Sequence, residues 1–447
     1  MEKFGRYFLT LLLVLAPLML GSNRAIFWAL NSLIICLALL SKIFGRSRAV
    51  LSLKPNRPDG IAFWLFMASL IWITVQWLPG VPPFLAHPAW QFVPWASPRI
   101  TLDAEATLLT LVWWLSMLTV FVAMAVATRS TRIANYLWLI SLMGVAEALF
   151  GLANSYYHLN SVGLVDKTAY EGWLTATFVN RNSVASFFTI CLAALTALTI
   201  QKYRLIDKEF QRKGRAQSTF LAATSGLAYY MAGFGIIYSA VLLTGSRAGV
   251  ATAVAVPFLV WAMSTRGKPN KKFIWPAVTL LFFSGLAVGI SAILERAKGA
   301  SSSTQSRWVL NDDSLSAIAS RPFLGHGAGA YQFTEPLFHS DAVSMTVIWN
   351  RAHNSFLEAA VDLGVPFTVL WLVGFATLCI MLWRSMRAVK EFQPATAVFL
   401  ALVITEGLHA WVDFSMQIQA NAIYAACIMG LAIGETLKNA ANERGRT

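Results

Sequence analysis

Apolar residues in this chain gather into long runs, and polar residues stand in the gaps between them. A helix needs roughly 20 apolar residues to cross a bilayer, and runs of about that length fall at 7–21, 25–43, 60–78, 106–127, 133–152 and 177–200. Six more follow at 219–243, 249–264, 273–291, 355–383, 394–410 and 418–436. The pattern therefore predicts an all-α integral membrane protein of about twelve transmembrane helices. The first run, 7–21, and the run 249–264 that follows Gly245 are short for a span.

Two of the polar gaps are long. Residues 79–105 are rich in proline and tryptophan (PGVPPF, HPAWQFVPW), as expected of a segment lying at the membrane interface, where indole rings settle. Residues 292–354 open on the serine run Ser301–Ser303, continue through a predicted helix over 307–320, and enter the turn-rich PFLGHGAGAYQF. This loop ends in WNRAHNSFLEAAVDLG, Trp349 to Gly364, where a polar cluster runs directly into an apolar helix. Ser355 and Glu358 have the S-x-x-E spacing of a capping box. Lys3 and Arg6 precede the first apolar run, but no A-x-A site follows it, so an uncleaved first span is expected. No internal repeat is evident.

Charge orients the spans. With the amino terminus inside and the loops alternating, 25 of the 35 basic residues fall in cytoplasmic blocks. The other ten, Arg24, Arg99, Lys167, Arg181, Arg247, Arg296, Lys298, Arg307, Arg321 and Arg351, fall outside. This asymmetry predicts that both termini are cytoplasmic. Composition agrees: 57% of residues are hydrophobic and 13% charged, against about 25% charged in soluble domains. The formal net charge of +14 does not indicate nucleic acid, because the basic residues lie in short blocks between apolar runs. Cys36, Cys191, Cys379 and Cys427 all sit within apolar runs without C-x-x-C spacing, which implies neither disulfides nor a metal site.

The candidate chemistry gathers on the outer side. His353 stands at a helix mouth, where the positive end of the dipole disfavours an imidazolium and leaves a neutral ring able to accept a proton. Arg181 lies in TFVNRNSVASFF where a span begins, Arg247 in LLTGSRAGV between two spans, and Arg307 in STQSRWVL entering the outer helix. A cation at such depth costs free energy unless it faces a cavity or a partner. Snorkelling to lipid phosphates is the alternative for each. Guanidinium groups offer bidentate donors to phosphate oxygens, so arginines converging beside a neutral histidine suit a polyprenyl diphosphate donor. Arg351 and Asn354 flank His353 as supporting residues. Asp413, in HAWVDFSMQ, either orients His353, pairs with an arginine or caps a helix. Gly325, Gly327 and Gly329 form either a tight turn around His326 or an anion nest. Glu147 and Glu406 lie within spans, marking either a pathway or a polar pairing of helices. His87, His158 and His339 show no partner pattern, and nothing in the sequence calls for a metal or a cofactor.

Taken together, TFVNRN, the GSRAG break, SRW with RPFLGHGAGAYQF, RAHNSFLEAAVDLGVPF and the late WVDFSMQIQANA resemble the O-antigen ligase and polymerase superfamily over about residues 170–435. The resemblance divides the chain into amino-terminal helices (1–169), a ligase-like domain with the periplasmic loop (170–437) and a cytoplasmic tail (438–447). It implies a GT-C-type helical fold in the bacterial inner membrane with its active site on the periplasmic face. It also implies an undecaprenyl-diphosphate-linked glycan donor and metal-independent, inverting transfer. The acceptor it implies is lipid A core or protein for a ligase, and growing polysaccharide for a polymerase, exopolysaccharide included. Carried over residue by residue, it makes His353 the base and gives Arg247, Arg181 and Arg307 the diphosphate. Two other classes stand beside it: a transporter or flippase for the same lipid-linked glycan, which predicts two related halves and polar residues at the bilayer midplane, and a non-catalytic assembly partner, for which His353 is dispensable.

Overall fold

The computed structural model describes residues 2–43, 54, 56–128, 131–162, 165–167, 169–213, 217–265, 302–340 and 349–444. In hydrocarbon, every backbone N–H and C=O must be satisfied within its own segment, so the apolar runs become helices. They are α1 (Glu2–Leu18), α2 (Ala25–Ile43), α3 (Pro58–Trp77), α4 (Ala104–Ala127), α5 (Ile133–Tyr156), α6 (Arg181–Lys213), α7 (Gln217–Leu243) and α8 (Arg247–Ser264). There follow α9 (Ser302–Ser320), α10 (Ser355–Leu363), α11 (Val365–Ala388), α12 (Pro394–Ala410) and α13 (Gln419–Arg444). Among the described residues the extended pairing is one ladder of two-residue strands, β1 (Ser161–Val162) and β2 (Val165–Asp166), antiparallel. Among the described residues eight helices are long and apolar enough to cross a membrane, while the described parts of α1, α2 and α12 are apolar but shorter. The result is an all-α membrane protein. The span expected at 273–291, the outer residues 292–301 and the run 341–348 lie outside the described residues.

Helices α6 and α13 are almost wholly buried and form the centre, whereas α3, α7 and α11 expose most of their surface. Small residues let the central helices touch. A Cβ added at Gly434 of α13 would stand 2.0 Å from Thr128 Oγ1 beyond α4, and one at Gly249 of α8 would stand 2.3 Å from Ala185 Cβ of α6.

The alternate connections meet at one end of the bundle. Thr177, before α6, donates to Pro17 O at 2.8 Å, and Leu174 N donates to Leu243 O at the end of α7 at 3.0 Å. Asn31 Nδ2 reaches Gln419 Oε1 at 2.7 Å, and Asn421 Nδ2 reaches Ser183 O at 2.9 Å. The two acids inside spans prove to be polar pairings. Glu147 accepts from the Thr177 hydroxyl at 2.9 Å and from its N–H at 3.2 Å. Glu406 accepts from the Ser186 hydroxyl, whose oxygen also lies 3.1 Å from His409 Nδ1.

One expectation is corrected. The run 355–383 is not a single span, because the helix stops at Leu363 and restarts at Val365. Gly364 adopts φ +83, and an added Cβ there would come within 2.4 Å of the Phe323 carbonyl oxygen. Val365 N donates to Pro322 O at 2.8 Å, which fixes the corner. Apolar character continues through the corner, so hydropathy does not register it. Gly364→Ala is expected to destabilise the protein by more than about 1 kcal/mol, since a non-glycine residue here suffers both positive φ and a backbone clash. A lowered thermal unfolding midpoint in detergent would show it; an unchanged midpoint would mean the corner relaxes freely.

The glycine cluster is a tight turn whose N–H groups are already engaged. Gly327 N donates to Asp362 O at 3.0 Å and Gly329 N to Asp362 Oδ2 at 2.8 Å, so it is not an open nest. His326 also has a partner, His87 of the long proline-rich loop, with Nδ1 and Nε2 2.9 Å apart. Because His326 Nε2 faces the Ala317 carbonyl at 3.0 Å it must donate, so its Nδ1 accepts from His87 Nε2, while His87 Nδ1 accepts from Ala89 N. Both rings are neutral in this chain. Burial, then the Arg321 guanidinium, then His326 push His87 down to about 3.

Candidate functional site

The stretch leading into α10 folds back over the first turn of that helix. Asn354, not Ser355, is the cap, accepting from Phe356 N and Leu357 N at 3.2 Å each. The expected Ser355–Glu358 box is therefore absent. Glu358 is buried and instead accepts from Arg351 Nη1 at 2.9 Å and Ala352 N at 3.0 Å. Arg351 is thus a clasp for the loop, and Asn354 a cap.

Pinned on both sides, His353 is held at φ +54, a left-handed conformation that costs on the order of 1 kcal/mol or more and persists only where neighbours enforce it. Its ring meets Phe414 edge to face with centroids 5.0 Å apart, and Trp349 at 6.2 Å. Nδ1 is buried with no hydrogen-bond partner among the described residues. The imidazole is pushed down to about 4, first by burial and then by the Arg307 guanidinium, with Asp413 opposing. The neutral ring expected at the helix mouth is present, but the chief cause is desolvation rather than the dipole.

Asp413 is the hub of the surrounding network and is only 1% exposed. Its carboxylate accepts from Phe414 N at 2.7 Å and from Asn182 Nδ2, and stands 3.8 Å from Arg307 Nη2. Its carbonyl accepts from Ser355 Oγ at 2.9 Å. Arg307 Nη1 donates to Val412 O at 2.8 Å. Of the readings open for Asp413, the arginine pairing is the one seen. It holds Phe414, the wall of the His353 ring, rather than His353 itself.

Arg181 and Arg247 begin two helices that touch. Asn180 Oδ1 accepts from Asn182 N at 2.7 Å at the start of α6, and Ser246 Oγ accepts from Gly249 N at 3.2 Å at the start of α8. The Arg181 guanidinium lies 4.8 Å from the Trp173 ring centroid and 5.8 Å from that of Tyr170. Gly245, at φ +63, packs flat against the same tryptophan, since a Cβ there would fall 2.2 Å from its ring. Trp173 is therefore a wall shared by Arg181 and the turn that carries Arg247. The helix starts and the arginines make this end of the bundle electropositive.

Arg181 thus stacks on Trp173, which also walls the Gly245 turn just before Arg247, while Asp413 joins Arg307 to Asn182 of α6 and its neighbour Phe414 packs on the His353 ring. Phe414, Trp173 and Tyr170 were not legible as site residues, because an aromatic ring at the interface reads as membrane anchoring until its neighbour across the fold is known, and Asn182 was not because its partner Asp413 lies 231 positions away. Helix α10 also borders a cavity of about 340 Å³ walled by Trp28, Trp113, Trp114 and Trp371, with Arg351 and Ser355 also lining it.

Residues 232–372 match the family model described as O-Antigen ligase. The matched segment contains Arg247, Arg307, Arg351, His353 and Asn354, while Arg181 and Asp413 lie outside it. It supports the O-antigen ligase and polymerase superfamily as the relation carried by the motifs, and with it a membrane glycosyltransferase of ligase or polymerase type in general. No curated protein matches the chain.

Proposed function

We propose that this protein transfers a glycan from an undecaprenyl diphosphate carrier to an acceptor hydroxyl at the periplasmic face of the bacterial inner membrane. The observation that carries the reading is the buried Nδ1 of a neutral His353, without a hydrogen-bond partner among the described residues, on a ring packed against Phe414 beside the Asp413–Arg307 pair. His353 takes the proton of the acceptor hydroxyl as its oxygen attacks the anomeric carbon. The bond from that carbon to the diphosphate oxygen breaks with inversion. The electron pair leaves with the diphosphate, whose growing charge is met by Arg181, Arg247 and Arg307. No step requires a metal. The tryptophan-walled cavity beside α10 offers a seat for the hydrocarbon chain of a lipid substrate.

The test is reconstitution. Purified protein in liposomes with a polyprenyl-diphosphate glycan and an acceptor should release polyprenyl diphosphate and lengthen or cap the acceptor. Donor that is bound or moved across the bilayer without release would favour a transporter and overturn the reading. In a deletion strain, single repeat units on the final acceptor identify a polymerase, and full-length polymer retained on the carrier identifies a ligase.

A further inference from the structure

Three metal-ligating groups meet between α9 and the stretch that follows it. Asp313 comes from the second half of α9, Glu335 opens a 3-10 turn, Glu335–Leu337, and His339 follows four residues later. One ligand atom from each lies within 4.8 Å of the other two. Asp313 and Glu335 are each 5% exposed, and the His339 side chain 6%. His339 Nδ1 contacts Glu335 Oε1 directly, and Ser340 N approaches Asp313 Oδ2 at 3.4 Å.

Charge makes the cluster unusual. Among the described residues neither carboxylate has a lysine or arginine partner, and His339 supplies at most one positive charge. Two buried carboxylates against one imidazole leave a negative charge without compensation, which burial makes costly. The unit also has little core of its own. Ala317, Tyr331, Ala352 and Val361 form a small apolar cluster separate from that of the bundle, and small units of this kind are commonly held by a staple. The Ser340 hydroxyl oxygen is buried with no hydrogen-bond partner among the described residues.

We propose that Asp313, Glu335 and His339 bind one divalent cation. One imidazole nitrogen and two carboxylates make a mixed nitrogen and oxygen set of the kind zinc and manganese accept, with water completing the shell. The ion ties α9 to the chain that leads toward His353. Arg307, six residues before Asp313 on the same helix, is thereby held where it reaches Val412 and Asp413. The role is structural, and the site stands independently of the transfer reaction.

The experiment uses the full chain in lipid nanodiscs, with any affinity tag removed, stripped with EDTA and then titrated with Zn2+ or Mn2+. About one equivalent per chain should remain after exhaustive dialysis, measured by elemental analysis. Asp313→Asn and Glu335→Gln, which preserve shape, should each weaken retention on the order of tenfold or more. The thermal midpoint of the unaltered protein should fall with EDTA and recover with the ion, an arm that needs no variant to fold. Absence of a retained ion, retention unchanged in both variants, or a midpoint indifferent to EDTA would each overturn the proposal and leave a histidine–carboxylate pair.

Discussion

Replacing His353 by alanine is expected to lower the transfer rate by about 100- to 10,000-fold, the range over which a positioned general base contributes, while the protein inserts normally. The substitution removes a buried ring nitrogen that has no hydrogen-bond partner among the described residues and leaves the Asp413 hub and the Asn354 cap in place. His353→Asn is the sharper control. Asparagine tolerates the left-handed backbone that His353 adopts, so the loop keeps its course, yet an amide is no base. Both variants should fail alike, and wild-type turnover in either would remove His353 from the mechanism. The acidity of the ring gives a second reading. A base held at about 4 is unprotonated at neutral pH, so kcat/KM should stay level as pH falls from 7 and decline tenfold per unit only below about 4. Bound diphosphate adds negative charge beside the ring and favours the imidazolium. The acid limb of kcat should therefore lie at higher pH than that of kcat/KM. Coincident limbs would mean that the diphosphate does not sit near His353.

Hydropathy made the apolar helices of the bundle legible, because they follow from the solvent the chain sits in rather than from particular contacts. The helix mouth at His353 was legible for the same local reason: a polar cluster running into an apolar stretch must end in a cap. Which residue caps it was not. Asn354 and Ser355 are both good caps, and the choice falls to Asn354 because Ser355 is engaged by the Asp413 carbonyl, 58 positions away. The corner at Gly364 was hidden by uninterrupted apolar character, although a glycine followed at the second position by a proline was its trace. The His87–His326 bond, the Trp173 wall and the Asp313, Glu335, His339 cluster depend on segments that meet only in the fold, and none has a spacing that marks it. Arg351, expected as a supporting residue beside His353, directs its charge to Glu358.

Arg247 is expected to matter to the chemical step. Arg307 already donates to Val412 and faces Asp413, so part of its field is compensated before any substrate binds. Arg181 is stacked over Trp173 and Tyr170, which fixes its plane. Arg247 is an exposed residue at the first position of α8, where the helix start adds to its positive field. If it meets charge that develops on the leaving diphosphate, Arg247→Ala should lower kcat by about 100- to 1,000-fold, as loss of a preorganised oxyanion donor does, with a smaller effect on KM. Arg247→Lys keeps the charge but not the two-pronged donor geometry, and should recover only part of the rate. At Arg181 the same exchange should recover less, because lysine also gives up the planar stacking on Trp173. A loss confined to KM in Arg247→Ala would mean that this arginine holds the donor equally before and during reaction. In that case the leaving-group role would pass to Arg181 and Arg307, which the corresponding kcat measurements on their alanine variants would then have to show.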